Sequence, residues 1–596
     1  MILGEIQMKN EVKNEMTGYP SIDKPWLKYY SKTVEEFSPK TIYEYARKTL
    51  TQRYNEDCIC YYGENIKSRD VLRQIDRCAD AFWALGIREG DCVTICSPTF
   101  PETIYANIAL NKIGAIANNI DPRNNVKALA EDINKVNSKA VIVLDLAVVK
   151  IRKIENEICT SNIIVISYGD SIPFIKQIPF NAVLRKKLKA KGIPSFTLKW
   201  KLRYCTWNKF LMEGKNAKAE ISRDGDNCVA AMVRTSGTTG KPKSVMLTNK
   251  GAISLVEQYK TTDLNLKEGE SLLNIMPQFI AYGWTFGVVM TTCLGIINII
   301  VPQFDQKEFA QNIIKYHPNH LVAVPTHYIN LMEDPQMEQI DFSGWLHSIS
   351  AGGDKFLEQK ENAFNKWLNK HNYSGKVIVG YGLTEMNSSV ATRLHCCNVP
   401  TSAGIPLPQN IISIFKYDEG MQASTYELKY GEVGEICITG PSMMAGYYND
   451  IEETQKIERL HDDGRVWIHT KDKGYMNKNG VLYVLGREKN MIIRPDGHNV
   501  WPIQMENVIL HHEAVKDCCV VGIPCGQGEL PRAVVVLKEQ KNKEKIEREL
   551  REMCLQELPE RDVPITYSFE EQLPLTDVGK IDVAAVRAHE IEKEMS

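Results

Sequence analysis

DCVTICSPTFPETIYANIALNKIGAIANNIDP, Asp91 to Pro122, sets a short apolar run, a proline-opened helical stretch and a second short apolar run in succession. A strand, a helix and a strand in that order join as parallel neighbours through the helix. The rhythm returns in KAVIVLD and NIIVISYG, and again in HLVAVPTHYINLM and KVIVGYGLTEM, so the expected fold class is α/β with parallel sheets. Gly431 to Gly486 changes character, with short strands punctuated by GEVGE, DDGR and KNG, and is expected to be an antiparallel, barrel-like part. After Arg487, CCVVGIP, RAVVVLKE and the charged KNKEKIERELREMCLQEL fit a small α+β domain. The expected division is therefore an N-terminal body over residues 1–486 and a C-terminal domain over 487–596.

Length and composition narrow the function. A chain of 596 residues exceeds one ordinary domain several-fold and can bury a large core. Its net charge of −2 argues against a polyanionic partner, so no nucleic acid is expected. Sixteen cysteines show no zinc-ribbon spacing, which suits reduced thiols in a cytoplasm. MILGEIQMKNEVKNEM has no apolar core of the secretory type. The uncharged run Ser271–Phe304 is long enough to cross a bilayer, but Pro277, Gly283, Gly287, Gly295, Asn298 and Pro302 divide it, and LGIINIIV reads as a buried parallel strand after a buried helix. Ile172–Trp207 interleaves nine Lys and Arg with apolar residues; a solvated surface insertion is favoured over peripheral membrane contact.

Chemistry first shows at TSGTTGKPKSVMLTN, Thr235 to Asn249, which lies between the strand CVAAMV and the strand-like SVMLT. Gly237 and Gly240 free the backbone to turn its N–H groups toward an anion, Thr235, Ser236, Thr238 and Thr239 add hydroxyls, and Lys241 adds charge. That set suits a polyphosphate, although a mobile surface loop would look similar. The P-loop spacing and its following helix are both absent.

Further motifs decide between the two readings. The loop resembles the phosphate signature of the adenylate-forming superfamily: acyl-CoA synthetases, peptide-synthetase adenylation domains and beetle luciferases. In that family's order, Gly380-Tyr-Gly-Leu-Thr-Glu385 resembles its aromatic-Gly-x-Thr-Glu motif and Trp467-Ile-His-Thr-Lys-Asp472 its Trp-x-x-Thr-Gly-Asp motif. Gly486-Arg487 resembles the start of its hinge segment, and Leu573-Pro-Leu-Thr-Asp-Val-Gly-Lys580 its C-terminal lysine motif. The resemblance covers about residues 40–590 and is closest in type to fatty- or aryl-acid CoA ligases.

The resemblance implies an enzyme that activates a carboxylic acid with ATP to an acyl-adenylate and pyrophosphate, then passes the acyl group to the thiol of CoA. A separate carrier protein is the alternative acceptor, since no carrier segment follows Ser596. Carried over residue by residue, Ser236 to Lys241 would hold the β- and γ-phosphates, with Thr235 at their head. Thr384 would meet the α-phosphate, and Glu385 would bind Mg²⁺. Tyr381 and Gly382 would lie against adenine, with Gly353 and Asp354 bordering base and acid. Asp472 and Arg487 would hold the ribose. Ile280, Tyr282, Gly283, Gly352 and Gly380 would border the acid, and Gly497 the tunnel for the CoA arm. Lys580 would bridge the α-phosphate and the attacking carboxylate, on a C-terminal domain made mobile by a hinge at Lys489.

Three positions depart from the family pattern. Ser244 and Lys471 stand where glycines are usual, and Ile280 stands where CoA synthetases commonly carry a gating histidine. Peptide-type domains put an aspartate near there for the substrate's ammonium, but Ser271–Phe304 holds no carboxylate. An amino acid would bury an unpaired charge. A fatty or aryl acid is expected. A scaffold that merely retained the fold would have lost Lys580 or Glu385, and both are present.

Overall fold

The computed structural model describes residues 16–34, 41–173, 175–177, 204–222, 225, 227–235, 242–302, 304–416, 424–487, 490–496, 498–539, 542–576 and 580–595. Two large sheets carry the N-terminal body. The first orders strands 204–206, 163–166, 140–144, 92–96, 116–120, 229–235 and 243–248, parallel throughout except for the last pair. The second has nine strands, in the order 405–406, 388–392, 378–383, 348–351, 320–323, 271–274, 297–300, 57–61 and 64–67. Its six central strands are parallel and its margins antiparallel. The parallel α/β expectation from Asp91–Pro122 holds, with strands 92–96 and 116–120 as direct parallel partners.

The helix between them explains its own odd sequence. Every residue of Pro101–Lys112 is buried, because helices Ile42–Gln52 and Ser68–Ala84 cover one side and the sheet the other. A helix enclosed all round needs no apolar stripe, only partners for its polar groups. Asn111 accepts from the Tyr43 N–H at 2.8 Å and donates to Asn249 at 2.8 Å. Asn107 accepts from the Trp284 indole at 3.1 Å and donates to Gln278 at 3.3 Å, tying this layer to the segment before Ile280.

Ser271–Phe304 is a core element. It forms strands 271–274 and 297–300, paired in parallel, around a helical stretch from Ala281 to Leu294 that includes a π-helical turn at 285–290. Among the described residues no helix is long and apolar enough to cross a membrane. Most of the basic stretch 172–207 lies outside the described residues.

Strands 411–415, 434–439, 466–476, 458–460 and 482–487 form the expected antiparallel sheet, but it takes in strand 411–415 ahead of Gly431, and among the described residues its pairings leave it open where a barrel-like part was expected. One continuous apolar core runs from Trp26 to Leu482. Beyond it, strands 515–525, 528–537 and 566–570 pack with helices 502–510 and 543–557 over a second core, which takes only Leu357 from the body. Ion pairs Lys355–Glu506 at 3.0 Å and Lys360–Asp517 at 2.7 Å cross between them.

Glu102, 1% exposed, makes the fold sensitive to pH. One oxygen accepts from the Ser171 hydroxyl, and the other has no partner among the described residues. Burial raises its carboxyl well above the ordinary range, and the charge of Asp170, itself raised by burial, pushes the same way. A carboxyl raised by folding contributes full stability below its unfolded value of about 4.3 and loses it as pH climbs through the folded value. Stability is therefore expected to fall from mildly acid to alkaline pH, by ~1.4 kcal/mol for each pH unit that separates the unfolded value from the folded one. Urea midpoints measured across that range should slope less for Glu102→Gln than for the parent chain.

Candidate active site

A cavity of about 440 Å³ opens beyond the ends of the parallel strands 348–351 and 378–383, where ligands collect in open α/β sheets. Its lining includes the apolar and aromatic Met276, Ile280, Tyr282, Phe286, Tyr259 and Val324, the polar and charged Arg234, Thr235, Lys243, Thr384, Glu385, Arg487 and Lys580, and Gly352, Gly353, Gly380, Tyr381 and Gly382.

Thr235 ends strand 229–235 and pairs in antiparallel register with Lys243, and both line the cavity. Ser236, Gly237, Thr238, Thr239, Gly240 and Lys241 lie outside the described residues, as do Lys489 and Gly497.

Strand 378–383 delivers three of the expected residues through a bulge between Tyr381 and Gly382. A Cβ on Gly382 would fall 1.7 Å from the Ser388 carbonyl oxygen. Gly382→Ala must therefore part strands 378–383 and 388–392, at ~1–3 kcal/mol or more. Thermal unfolding is expected to shift down, and pyrophosphate release to fall with it, because Thr384 and Glu385 follow directly.

The Tyr381 hydroxyl donates to Asp472 Oδ2 at 2.6 Å, and Arg487 Nε approaches the other oxygen at 3.2 Å. Asp472 is 6% exposed, and burial raises its carboxyl while Arg487 and the tyrosine pull it back. Asp472 and Arg487 are cross-strand partners, so the sheet itself supplies their pairing. Lys471, just before, takes φ +60, the left-handed region where the related motif has glycine. Its N–H is held by Glu435 Oε1 at 3.0 Å.

Glu385 follows Thr384 in a short 3₁₀ turn and accepts from the Tyr447 hydroxyl at 2.7 Å. Tyr447 also lies 4.8 Å beneath the Lys243 ammonium, which pairs with Glu453. Lys243 and Lys456 together hold Glu453 down to about 2. Sequence reasoning missed Tyr447, Lys243 and Lys456. Only Lys243, inside the Thr235–Asn249 stretch, carried any signal.

Lys580 comes from the C-terminal domain. Its backbone N–H donates to Thr576 Oγ1 at 3.2 Å and its carbonyl accepts from the Thr576 N–H at 2.7 Å. The side chain enters the cavity beside Gly353, whose φ of +83 and missing Cβ leave room; a Cβ there would lie 3.4 Å from Lys580 Nζ. Burial lowers the ammonium's pKa, Asp354 opposes that and Arg487 adds to it. Asp354 is raised by its own burial and does not line the cavity. Gly283 faces the Pro277 backbone, where a Cβ would meet the carbonyl oxygen at 2.1 Å; it too lies off the cavity wall.

The parallel α/β body, the tyrosine–aspartate–arginine group and the lysine from a C-terminal domain agree with an enzyme of the adenylate-forming class. The AMP-binding enzyme profile matches residues 46–448, and the AMP-binding enzyme C-terminal domain matches residues 504–580. The chain belongs to the AMP-binding enzyme family. It is 30% identical to the long-chain-fatty-acid–CoA ligase of Bacillus subtilis over 565 residues, 94% of this chain and 96% of that one. It is 26% identical to the Salmonella typhimurium protein of the same name over 573 residues, 94% and 97% of the two chains. Among solved structures, an anthranilate CoA ligase in complex with anthranoyl-AMP shares the fold, with a TM-score of 0.77 at 19% identity, covering 94% of this chain and 99% of that one.

Proposed function

We propose that this chain joins an apolar fatty or aryl acid to the thiol of CoA in two steps at one site. What supports this is that Lys580 lies beside Gly353 in a single cavity whose lining carries both apolar side chains and cationic ones. In the first step a carboxylate oxygen attacks the α-phosphorus of ATP, the bond to the pyrophosphate oxygen breaks, and acyl-adenylate remains. Two anions meet there, so positioned positive charge does most of the work. Lys580 stands where it neutralises both, and Thr384 offers a hydroxyl to the α-phosphate. Asp472 and Arg487 hold the ribose, with Tyr381 fixed beside them to pack on the base. Glu385 offers the hard oxygen that Mg²⁺ takes, and the ion when bound would neutralise phosphate charge.

In the second step the thiol sulfur attacks the acyl carbonyl, AMP leaves with the bonding pair, and the thiol proton is released. Lys580 is not needed for that transfer, so a hinge at Lys489 can carry it away while the segment around Gly497 admits the CoA arm. The cysteines, sixteen in all, are free thiols, which supports a reducing compartment such as the cytoplasm.

The acid is tested by pyrophosphate release for hexanoate, octanoate, decanoate, dodecanoate, benzoate, phenylalanine and leucine at equal concentration, with and without CoA. Ile280, Phe286 and Met276 reward apolar surface at ~0.8 kcal/mol per buried methylene, about fourfold in affinity, until the chamber is full. Specificity should rise along the straight chains and then drop. Preference for either amino acid would overturn the substrate class, and adenylation without thioester formation would favour a carrier protein.

A further inference from the structure

We propose that Glu435, Cys437 and His469 form a buried zinc(II) site behind the nucleotide wall, oriented by His461. Cys437 sits directly opposite His469 where strand 434–439 pairs with strand 466–476. The register then shifts between Glu435 and Cys437, and this bulge swings Glu435 back toward the same imidazole. His469 Nδ1 lies 3.0 Å from Glu435 Oε2 and 3.3 Å from Cys437 Sγ. Carboxylate, thiol and imidazole donors thus converge from one side.

Those separations suit one ion. Zinc bonds of about 2.0–2.3 Å in a tetrahedron set neighbouring donors roughly 3.3–3.6 Å apart, close to what stands here before any ion draws them into place. A mixed thiolate, imidazole and carboxylate set is one that zinc accepts, whereas magnesium and calcium want oxygen alone. On its far side, His469 Nε2 meets His461 Nε2 at 2.9 Å. With the proton on His469 Nε2, its Nδ1 lone pair faces the other two donors, the orientation that outer partners impose on metal-bound imidazoles. His461 Nδ1, buried, has no partner among the described residues.

The donors are buried, with Glu435 1%, Cys437 0%, His461 5% and His469 2% exposed, and His469 also lines the nucleotide cavity, the side from which an ion would enter. On binding, the zinc–sulfur bond forms as the Cys437 S–H bond breaks, and the proton passes to solvent. Glu435 keeps its other oxygen on the Lys471 N–H, one residue before Asp472, so an ion here braces the strand that positions the ribose-binding carboxylate.

The test uses the full chain, stripped with a chelator and titrated with cobalt(II) without oxygen. One cobalt per chain is expected, with thiolate-to-cobalt absorption in the near ultraviolet that zinc(II) abolishes by displacement. Cys437→Ser should lose that band, Cys159→Ser, at an exposed thiol, should keep it, and His461→Gln should weaken affinity ~10–100-fold. An unchanged band in Cys437→Ser, or none in the parent chain, overturns the proposal. Should Cys437→Ser fail to fold, zinc K-edge absorption of the parent chain decides: one sulfur with nitrogen and oxygen neighbours supports the site, and any other sulfur count rejects it.

Discussion

Lys580→Ala slows acyl-adenylate formation by ~10²–10³-fold, the loss typical of one well-placed electrostatic donor. The carboxylate and the α-phosphate repel each other, and neither brings a cation. Lys580 reaches the cavity from another domain, with burial lowering its pKa and Asp354 helping to keep it charged. A half-buried ammonium beside Gly353 is worth more to a developing charge than one in water. The second half-reaction gives the contrast. Acyl-adenylate supplied from outside should still react with CoA at close to the parent rate, because sulfur attack needs no charge at the α-phosphate. Single-turnover pyrophosphate release and thioester formation measure the two halves separately. Equal loss in both would reject a lysine that serves adenylation alone.

Glu361→Ala costs ~3–5 kcal/mol, a large share of the 5–15 kcal/mol that holds a domain folded. Arg393 is 1% exposed, its Nη1 is 2.5 Å from Glu361 Oε1, and its Nε donates to the Ser402 carbonyl at 2.9 Å. Removing the carboxylate strands a guanidinium in the core. The pair joins helix Glu358–Lys370 to the end of strand 388–392, and the Arg393 N–H bonds the Val379 carbonyl at 3.0 Å, next to the cavity's Gly380. Activity should fall alongside the urea midpoint. The double change Glu361→Leu with Arg393→Met should recover most of the stability, since an apolar pair leaves no charge unsatisfied. If the two single losses simply added, the buried pair would not be acting as a unit.

Local pattern carried the architecture. Asp91–Pro122 announced a parallel strand, helix and strand because period and proline placement are properties of neighbours along the chain. The two strands on either side of the Thr235 segment were legible for the same reason, though not their antiparallel pairing, and so was the burial of Ser271–Phe304, where glycines and prolines interrupt a run otherwise fit for lipid. Motif order named the family, and the same resemblance marked Thr384, Glu385, Asp472 and Lys580 as candidates for its chemistry. The helix Pro101–Lys112 was read from its opening proline and its place between two strands, because, enclosed on every side, it shows no apolar stripe.

Tertiary structure decided what those residues touch. Tyr447 meets Glu385 across 62 residues of chain, and no spacing rule links a tyrosine after a turn to a carboxylate before one. Gly283 packs on the Pro277 backbone, and Asp354 accepts from the Lys355 N–H beside Lys580; neither is among the residues that line the cavity. Glu435 reaches His469 only through a register shift between strands, and Lys471 holds a left-handed backbone because the Glu435 carboxylate anchors its N–H. Composition and periodicity set which elements form and which faces they bury; sheet register and the closing of one domain over another set which side chains meet. The second depends on packing among segments far apart in the chain, which no local window of sequence contains.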